Sequence, residues 1–155
     1  RRSSDLAPFF SPEARAGYFG ISQHTTRAEL QRAVFEGLAY AIVDSLQGYP
    51  QGGELYLTGG GAASATWLQM IADCTGRTVV SSPFNELSAR GAAILAARSV
   101  DALSRYPALE QTRYRPNPQA HSRYAALYPV YRLLREQMLP VWQARREALQ
   151  RISQE

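Results

Sequence analysis

The chain has 155 residues, 45% of them apolar, one cysteine and a formal net charge of +4 that comes from arginine, since it contains no lysine. This length suits a single domain with one hydrophobic core, the lone Cys74 excludes an internal disulfide and a cysteine-based zinc site, and no apolar run approaches the ~20 residues that span a bilayer. The arginines are scattered, with Arg1-Arg2 and Arg145-Arg146 the only adjacent pairs, so the charge reads as a solvated surface and not as a nucleic-acid footprint.

Residues 1–24 carry Pro8, Pro12, Gly17 and Gly20 and read as loop, with a short extended piece near Tyr18-Phe19. Thr25 or Thr26 caps a helix over about 27–47, and Glu29, three residues beyond Thr26, gives a capping box. Leu30, Ala33, Val34, Gly37, Leu38, Ala41, Ile42 and Leu46 recur along it at helical spacing. Gly48, Pro50, Gly52 and Gly53 end it, and a strand follows over 54–58. Three glycines, Gly59, Gly60 and Gly61, then open a helix over about 62–75, with Trp67, Leu68, Ile71 and Ala72 on one face and Gly76 as its C-cap. Cys74 belongs to that helix as a small core residue.

Thr78-Val79-Val80 reads as a second short strand, and Pro83 begins a loop. Glu86 to Ser99 is a helix of small residues around Gly91, suited to close packing, and 101–106 continue as a helical turn. Pro107, Pro116 and Pro118 mark 107–118 as an extended linker. From His121 to Gln150 the pattern gives one or two helices, with Tyr124, Leu127, Tyr128, Tyr131, Leu134, Met138, Leu139 and Trp142 as the apolar stripe and Pro129 and Pro140 as starts or kinks. Alternating helices and strands indicate an α/β fold. Two strands alone make a poor sheet, and the opening Arg-Arg-Ser-Ser reads as mid-chain, so a portion of a larger protein is expected.

The glycine turn is the part of the chain that carries chemistry. Glycine has no Cβ and lets a ligand approach the backbone, and the helix that follows offers N–H groups and a positive dipole end. A phosphate loop of the Walker type needs a lysine, which this chain lacks. The dinucleotide fingerprint Gly59-x-Gly61-x-x-Ser64 wants an acid at the end of the next strand, where Val80-Ser81-Ser82-Pro83 stands instead. A purely structural glycine turn stays open on this motif alone. His24 and His121 have no partner spacing for zinc or a catalytic triad.

Four blocks taken in order resemble the C-terminal domain of the FGGY family of carbohydrate kinases. They are Ala16-x-Tyr18-x-Gly20-Ile21; Glu29-Leu30-x-x-Ala33-Val34-Phe35-Glu36; Gly59-Gly60-Gly61-Ala62-x-Ser64 with Trp67 and Gln69; and Glu86-x-x-Ala89-x-Gly91-Ala92-Ala93. The tail Arg123-Tyr124-Ala125-Ala126-Leu127-Tyr128-Pro129 is similar to the end of the family's xylulokinases. The resemblance covers nearly the whole chain. It implies part of an actin-like (ribonuclease H-like) ATPase domain over 1–106, a sheet with flanking helices. A linker and C-terminal helical extension over 107–155 would follow.

It further implies ATP with Mg2+ as cofactors and a sugar as phosphoryl acceptor, most like a pentulose such as xylulose. Gly59, Gly60, Gly61 and Ala62 would lie against the nucleotide. Ser64 matches a position that can reach the adenine edge, while its chemistry suits a helix N-cap equally. Glu86 would cap the last helix or partner the glycine turn, and Arg15 and Arg27 read as structural.

Phosphoryl transfer needs a base at the acceptor hydroxyl. The family's aspartate for this, its sugar-binding domain and its magnesium ligands fall upstream of the matched region. Asp5, Asp44, Asp73 and Asp101 match none of those positions. The expectation is therefore no catalytic or metal residue in this chain, and no sugar-kinase turnover by it alone. A non-catalytic module that assembles with a partner is the competing reading, and a dinucleotide oxidoreductase is the weakest. No nucleic acid or membrane partner is indicated, a homodimer is one assembly left open, and the cytoplasm is the expected location.

Overall fold

The computed structural model describes residues 11–50, 52–82, 86–100 and 109–154. The expectations for Pro8, Asp5, Pro83, Asp101, the helical turn at 101–106 and Pro107 lie outside them. The chain divides into two compact units, one of residues 1–50 with 121–155 and one of residues 51–120.

In the second unit, strand β1 (Leu55–Leu57) pairs parallel with β2 (Val79–Ser81), which pairs antiparallel with β3 (Thr112–Tyr114). The strand order is β1-β2-β3. Helix α2 (Ala65–Thr75) makes the crossover from β1 to β2, the connection a parallel pair requires. The central strand β2 is buried at every position, with Val79 and Val80 at 0% and 1% exposure. Leu68, Met70, Ile71, Ala72 and Cys74 of α2 are buried as well. Leu68, Ile71 and Ala72 are the face that the helical spacing predicts, while Trp67 of that set is half-buried and Met70 is buried beside them. Gly76 closes α2 at φ +69°, its N–H donating to Ala72 O at 2.9 Å, a left-handed cap that glycine adopts without a Cβ penalty.

β3 corrects the expected extended linker and the count of two strands. Its three residues sit just before Pro116 and Pro118 and gain their regular form from pairing with β2, which no local pattern announces. Asp73 fastens the segment that follows. It accepts from Gln69 Nε2 and from the Asn117 backbone N–H, both at 2.8 Å, and Gln69 Nε2 also donates to Arg115 O at 2.8 Å. On the strand side, Arg113 pairs with Glu54 at 2.9 Å. Helix α3 (Leu87–Ser99) has one buried residue, Ala97. A Cβ on Gly91 would meet nothing within 4 Å among the described residues, so the close packing expected there is not seen.

The first unit is built on α1 (Arg27–Ser45) and α4 (Pro118–Ile152), whose first three residues fall in the second unit. The capping box is present: Thr26 Oγ1 accepts from Glu29 N, and Glu29 accepts from Thr26 N at 2.7 Å. The backbone N–H of Thr26 and then its hydroxyl, which donates to the same carboxylate at 2.8 Å, hold the Glu29 carboxyl below the ordinary range. Burial on α1 falls on Ala39 and Tyr40, while Val34 and Leu38 of the periodic set are exposed. No strand forms at Tyr18-Phe19, and both side chains are exposed.

α4 starts at Pro118, behind an Asn117 side chain that accepts from Gln119 N at 3.0 Å and Ala120 N at 3.1 Å. It runs 35 residues with Pro129 and Pro140 inside, the one-helix alternative, so neither proline starts a new helix. Its packed residues are Tyr124, Tyr128, Tyr131 and Arg135, spaced by four, three and four positions, against Tyr40 and Asp44. Leu127 and Leu139, placed in the stripe by periodicity, are exposed instead. No described helix is long and apolar enough to cross a membrane.

Candidate functional site

The parallel pairing of β1 and β2 puts their carboxyl ends together, and the antiparallel register Ser81↔Thr112 brings the start of β3 to that same end. Ligands of open α/β sheets bind outside the carboxyl ends of the strands. The glycine turn leaves β1 at this end.

Gly59 takes φ +84° and ψ −170°, a region essentially restricted to glycine. The Gly59 carbonyl accepts from Ala62 N at 2.9 Å, and residues Gly60–Ala63 form a single 3-10 turn. This corrects the expected helix over 62–75. A 3-10 turn comes first, and α2 begins at Ala65. Between them Ser64 is the N-cap and not a first-turn residue, its hydroxyl accepting from Trp67 N at 3.3 Å.

The three glycines are not equivalent. Backbone conformation requires a glycine at 59. At 60, an added Cβ meets nothing within 4 Å among the described residues, and at 61 it meets only the Trp67 ring, at an ordinary 3.7 Å. The packing of the described residues therefore gives no reason for glycine at 60. One side of the turn is open.

Beside the turn lies an open hollow of about 640 Å3, lined by Ala62, Ala63, Ser81, Ser82, Glu110, Gln111, Thr112 and Tyr114. This is within the ordinary size of a small-molecule site. Ser81 Oγ donates to Ala62 O at 3.4 Å, linking the end of β2 to the turn. Of the residues picked out by sequence, the structure brings Gly59, Gly60, Gly61, Ala62 and Ser64 into one turn and sets Ala62 at the hollow's edge.

Glu86 stands at the N-cap position of α3, exposed and making no side-chain cap hydrogen bond. The residues that sequence reasoning missed are those of Glu110 to Tyr114, which reach the hollow only through the β2–β3 pairing. The one available signal was the β-prone run Thr112-Arg113-Tyr114 between prolines.

Both described aspartates of the expected set are engaged in structure. Asp44 holds Tyr128 and Arg135, and Asp73 holds Gln69 and Asn117. Among the described residues no group of three His, Cys, Asp or Glu side chains could hold a metal ion.

Comparison with known proteins adds the following. The family model for the FGGY family of carbohydrate kinases, C-terminal domain, matches residues 2–100. The chain is 32% identical over 125 residues to a probable L-xylulose kinase of Pasteurella multocida, covering 77% of this chain and 26% of that protein. It is 32% identical over 151 residues to the xylulose kinase of Escherichia coli K12, covering 90% and 31%. With a glycerol kinase of Koribacter versatilis it shares 38% identity over 122 residues, covering 71% and 24%.

Among solved structures it resembles a ligand-bound xylulose kinase from Lactobacillus acidophilus, with a TM-score of 0.79 at 21% identity over 89% of this chain and 30% of that one. A xylulose kinase from Rhodospirillum rubrum matches with a TM-score of 0.67 at 26% identity, over 85% and 29%. The chain thus spans about a quarter to a third of the length of these relatives.

Proposed function

Because this chain belongs to the FGGY family of carbohydrate kinases and carries that family's C-terminal domain, we propose that it is the ATP-holding portion of a kinase that phosphorylates a sugar, a pentulose such as xylulose. The actin-like ATPase architecture belongs to the same reading. The observation that carries it is the glycine turn: Gly60 has a flank that the described residues leave open, next to a hollow at the carboxyl end of a parallel strand pair. A bound nucleotide explains glycine there, because its flat base or sugar would lie where a side chain would otherwise stand.

In this reading the main chain at 59–61 and the Ala62 methyl form the floor of the nucleotide site, and Ser64 serves it by fixing the start of α2. MgATP supplies the transferable phosphoryl group, and the magnesium rides on the phosphates with protein ligands outside this chain. In this reading the base that takes the acceptor proton is outside it too, as the family resemblance implies, and the carboxylates of Asp44 and Asp73 are engaged in packing. The sugar is bound mainly by a further domain, and the 155 residues alone turn over no sugar. The xylulose kinases among the relatives favour a pentulose, while the glycerol kinase marks the alternative acceptor class.

Melting curves with ATP, ADP and NAD test the proposal. A ligand at 100 times its Kd adds about 2.7 kcal/mol of stability. The expected result is a higher Tm with ATP and ADP and none with NAD, together with no phosphorylation of xylulose. A shift with NAD alone, or xylulose phosphorylation by this chain, would contradict it.

A second reading, a non-catalytic module that assembles with a partner, draws on exposed apolar side chains in the first unit: Val34, Phe35 and Leu38 on α1, and Leu127, Val130 and Leu133 on α4. Such surface marks a contact site when it is contiguous. A chain that melts cooperatively, binds no adenine nucleotide and self-associates or captures a partner through these residues would move the reading this way.

A further inference from the structure

The hollow beside the glycine turn has an electrostatic character of its own. Among the described residues that line it, Glu110 is the one with an acidic or basic side chain. The others are the hydroxyls of Ser81, Ser82, Thr112 and Tyr114, the amide of Gln111 and two alanine methyls. Among the described residues no arginine lines it. A phosphate placed here would face a carboxylate without any cation to offset the repulsion. The hollow therefore suits an uncharged, hydroxyl-bearing group.

An ionised carboxylate only accepts hydrogen bonds, and its two oxygens match two adjacent O–H donors. Several other polar lining atoms are already engaged. Gln111 Oε1 accepts from Arg113 Nη2 at 3.1 Å, and Ser81 Oγ donates to Ala62 O. Among the described residues no hydrogen bond or ion pair takes up the Glu110 carboxylate, which is exposed in the hollow. Dinucleotide-binding sheets take an acid from the end of the next parallel strand to grip a ribose hydroxyl. Here that strand ends in Ser81-Ser82, and the acid arrives from the antiparallel neighbour, two residues before Thr112, which lies opposite Ser81.

Resting on the nucleotide reading above, we infer that Glu110 is the diol-recognising residue of this site, its carboxylate accepting from the vicinal 2′- and 3′-hydroxyls of the nucleotide's ribose. Two ligands offer such a diol, a ribonucleotide and a free pentulose. The ribose is the occupant, because Ala62 and Ala63 of the hollow's wall directly follow the glycines. The phosphates then extend along the glycine turn and away from Glu110.

Calorimetric titration of the whole chain with ADP, 2′-deoxy-ADP and xylulose tests this, using the wild type, Glu110→Ala, Glu110→Gln and Gly60→Leu. Glu110 is exposed, so its variants keep the fold, and circular dichroism checks it. Wild type should bind ADP about tenfold or more tightly than 2′-deoxy-ADP, the scale of a hydrogen bond to a charged group. Glu110→Ala should weaken ADP by a similar factor and make the two nucleotides equal, and Glu110→Gln should fall between.

Nucleotide binding that Gly60→Leu abolishes but Glu110→Ala leaves unchanged overturns this inference and spares the nucleotide reading. Xylulose binding that depends on Glu110, with ADP indifferent to it, overturns the ribose assignment. No nucleotide binding by the wild type overturns both.

Discussion

Tyr128 donates a 2.5 Å hydrogen bond to Asp44, 84 residues earlier in the chain, and Arg135 closes an ion pair on the other oxygen of the same carboxylate. Tyr40 packs on Tyr131 beside Tyr128, with ring centroids 5.2 Å apart and planes tilted by 30°. The pair fixes α4 against α1 within the first unit. Burial, and then the hydrogen bond to Asp44, push the Tyr128 phenol up to about 12, and burial moves Tyr131 and Tyr124 in the same direction.

A phenol whose folded value lies above its unfolded one, near 10, favours the folded state fully below pH 10. That contribution is lost as pH rises through the folded value. The chain should therefore lose stability between about pH 10 and pH 12. Tyr128→Phe should lose less over that interval while starting from a lower stability at pH 8. Denaturant midpoints across pH, with phenolate absorbance followed in parallel, measure both.

Removing the carboxylate itself should cost more. The Asp44 side chain is 5% exposed and that of Arg135 19%, so Asp44→Ala removes the acceptor that a guanidinium and a phenol share in a poorly solvated place, with Glu136 at 3.8 Å remaining to the guanidinium. Breaking a buried pair from one side costs about 3–5 kcal/mol, and the partly open Arg135 puts this case at the lower end. Asp44→Asn, which retains an acceptor for Tyr128 but not the charge, should recover part of the loss. Chemical denaturation of the three proteins decides it.

The elements that sequence made legible are those that local chemistry fixes. Thr26 and Glu29 specify the start of α1 by themselves. Leu55-Tyr56-Leu57 before three glycines specifies a strand and a turn, and Gly76 specifies the end of α2. What stayed hidden depends on partners far along the chain. β3 is three residues long and exists by pairing with β2.

The continuity of α4 through Pro129 and Pro140 is set against a cost of about 3 kcal/mol for an interior proline. Its anchorage through Tyr124, Tyr128, Tyr131 and Arg135 offsets this, a tertiary effect that local propensity does not contain. The site divides the same way. The glycine turn could be read from the sequence, whereas Glu110 joins it only once the sheet is formed. For Ser64 the sequence allowed a cap or a ligand contact with equal chemistry, and the hydrogen bond to Trp67 N supplies the cap.

Loss of that cap gives a third prediction. Ser64→Ala frees the Trp67 N–H at the start of α2 and should lower stability by about 1 kcal/mol. Ser64→Asn, which caps as well as serine, should restore it. Nucleotide affinity, measured well below the melting point, should change little in Ser64→Ala, because the hydroxyl already faces the helix backbone. A large affinity loss at unchanged Tm would instead make Ser64 a direct contact.

The glycines themselves provide the sharpest separation of fold from binding. At Gly59 the backbone sits at φ +84°, ψ −170°, where an alanine costs on the order of 1–3 kcal/mol of strain. Gly59→Ala should therefore lower Tm whether or not a nucleotide is present. At Gly60 an added Cβ meets nothing within 4 Å among the described residues, and no positive φ opposes it. Gly60→Leu should leave Tm of the free chain nearly unchanged and abolish the shift produced by ADP, because the leucine occupies the flank that the nucleotide needs. Melting curves of the two variants with and without ADP give four values, and the proposed site requires that they split in this way. A Gly60→Leu protein that still responds to ADP like the wild type would place the nucleotide elsewhere.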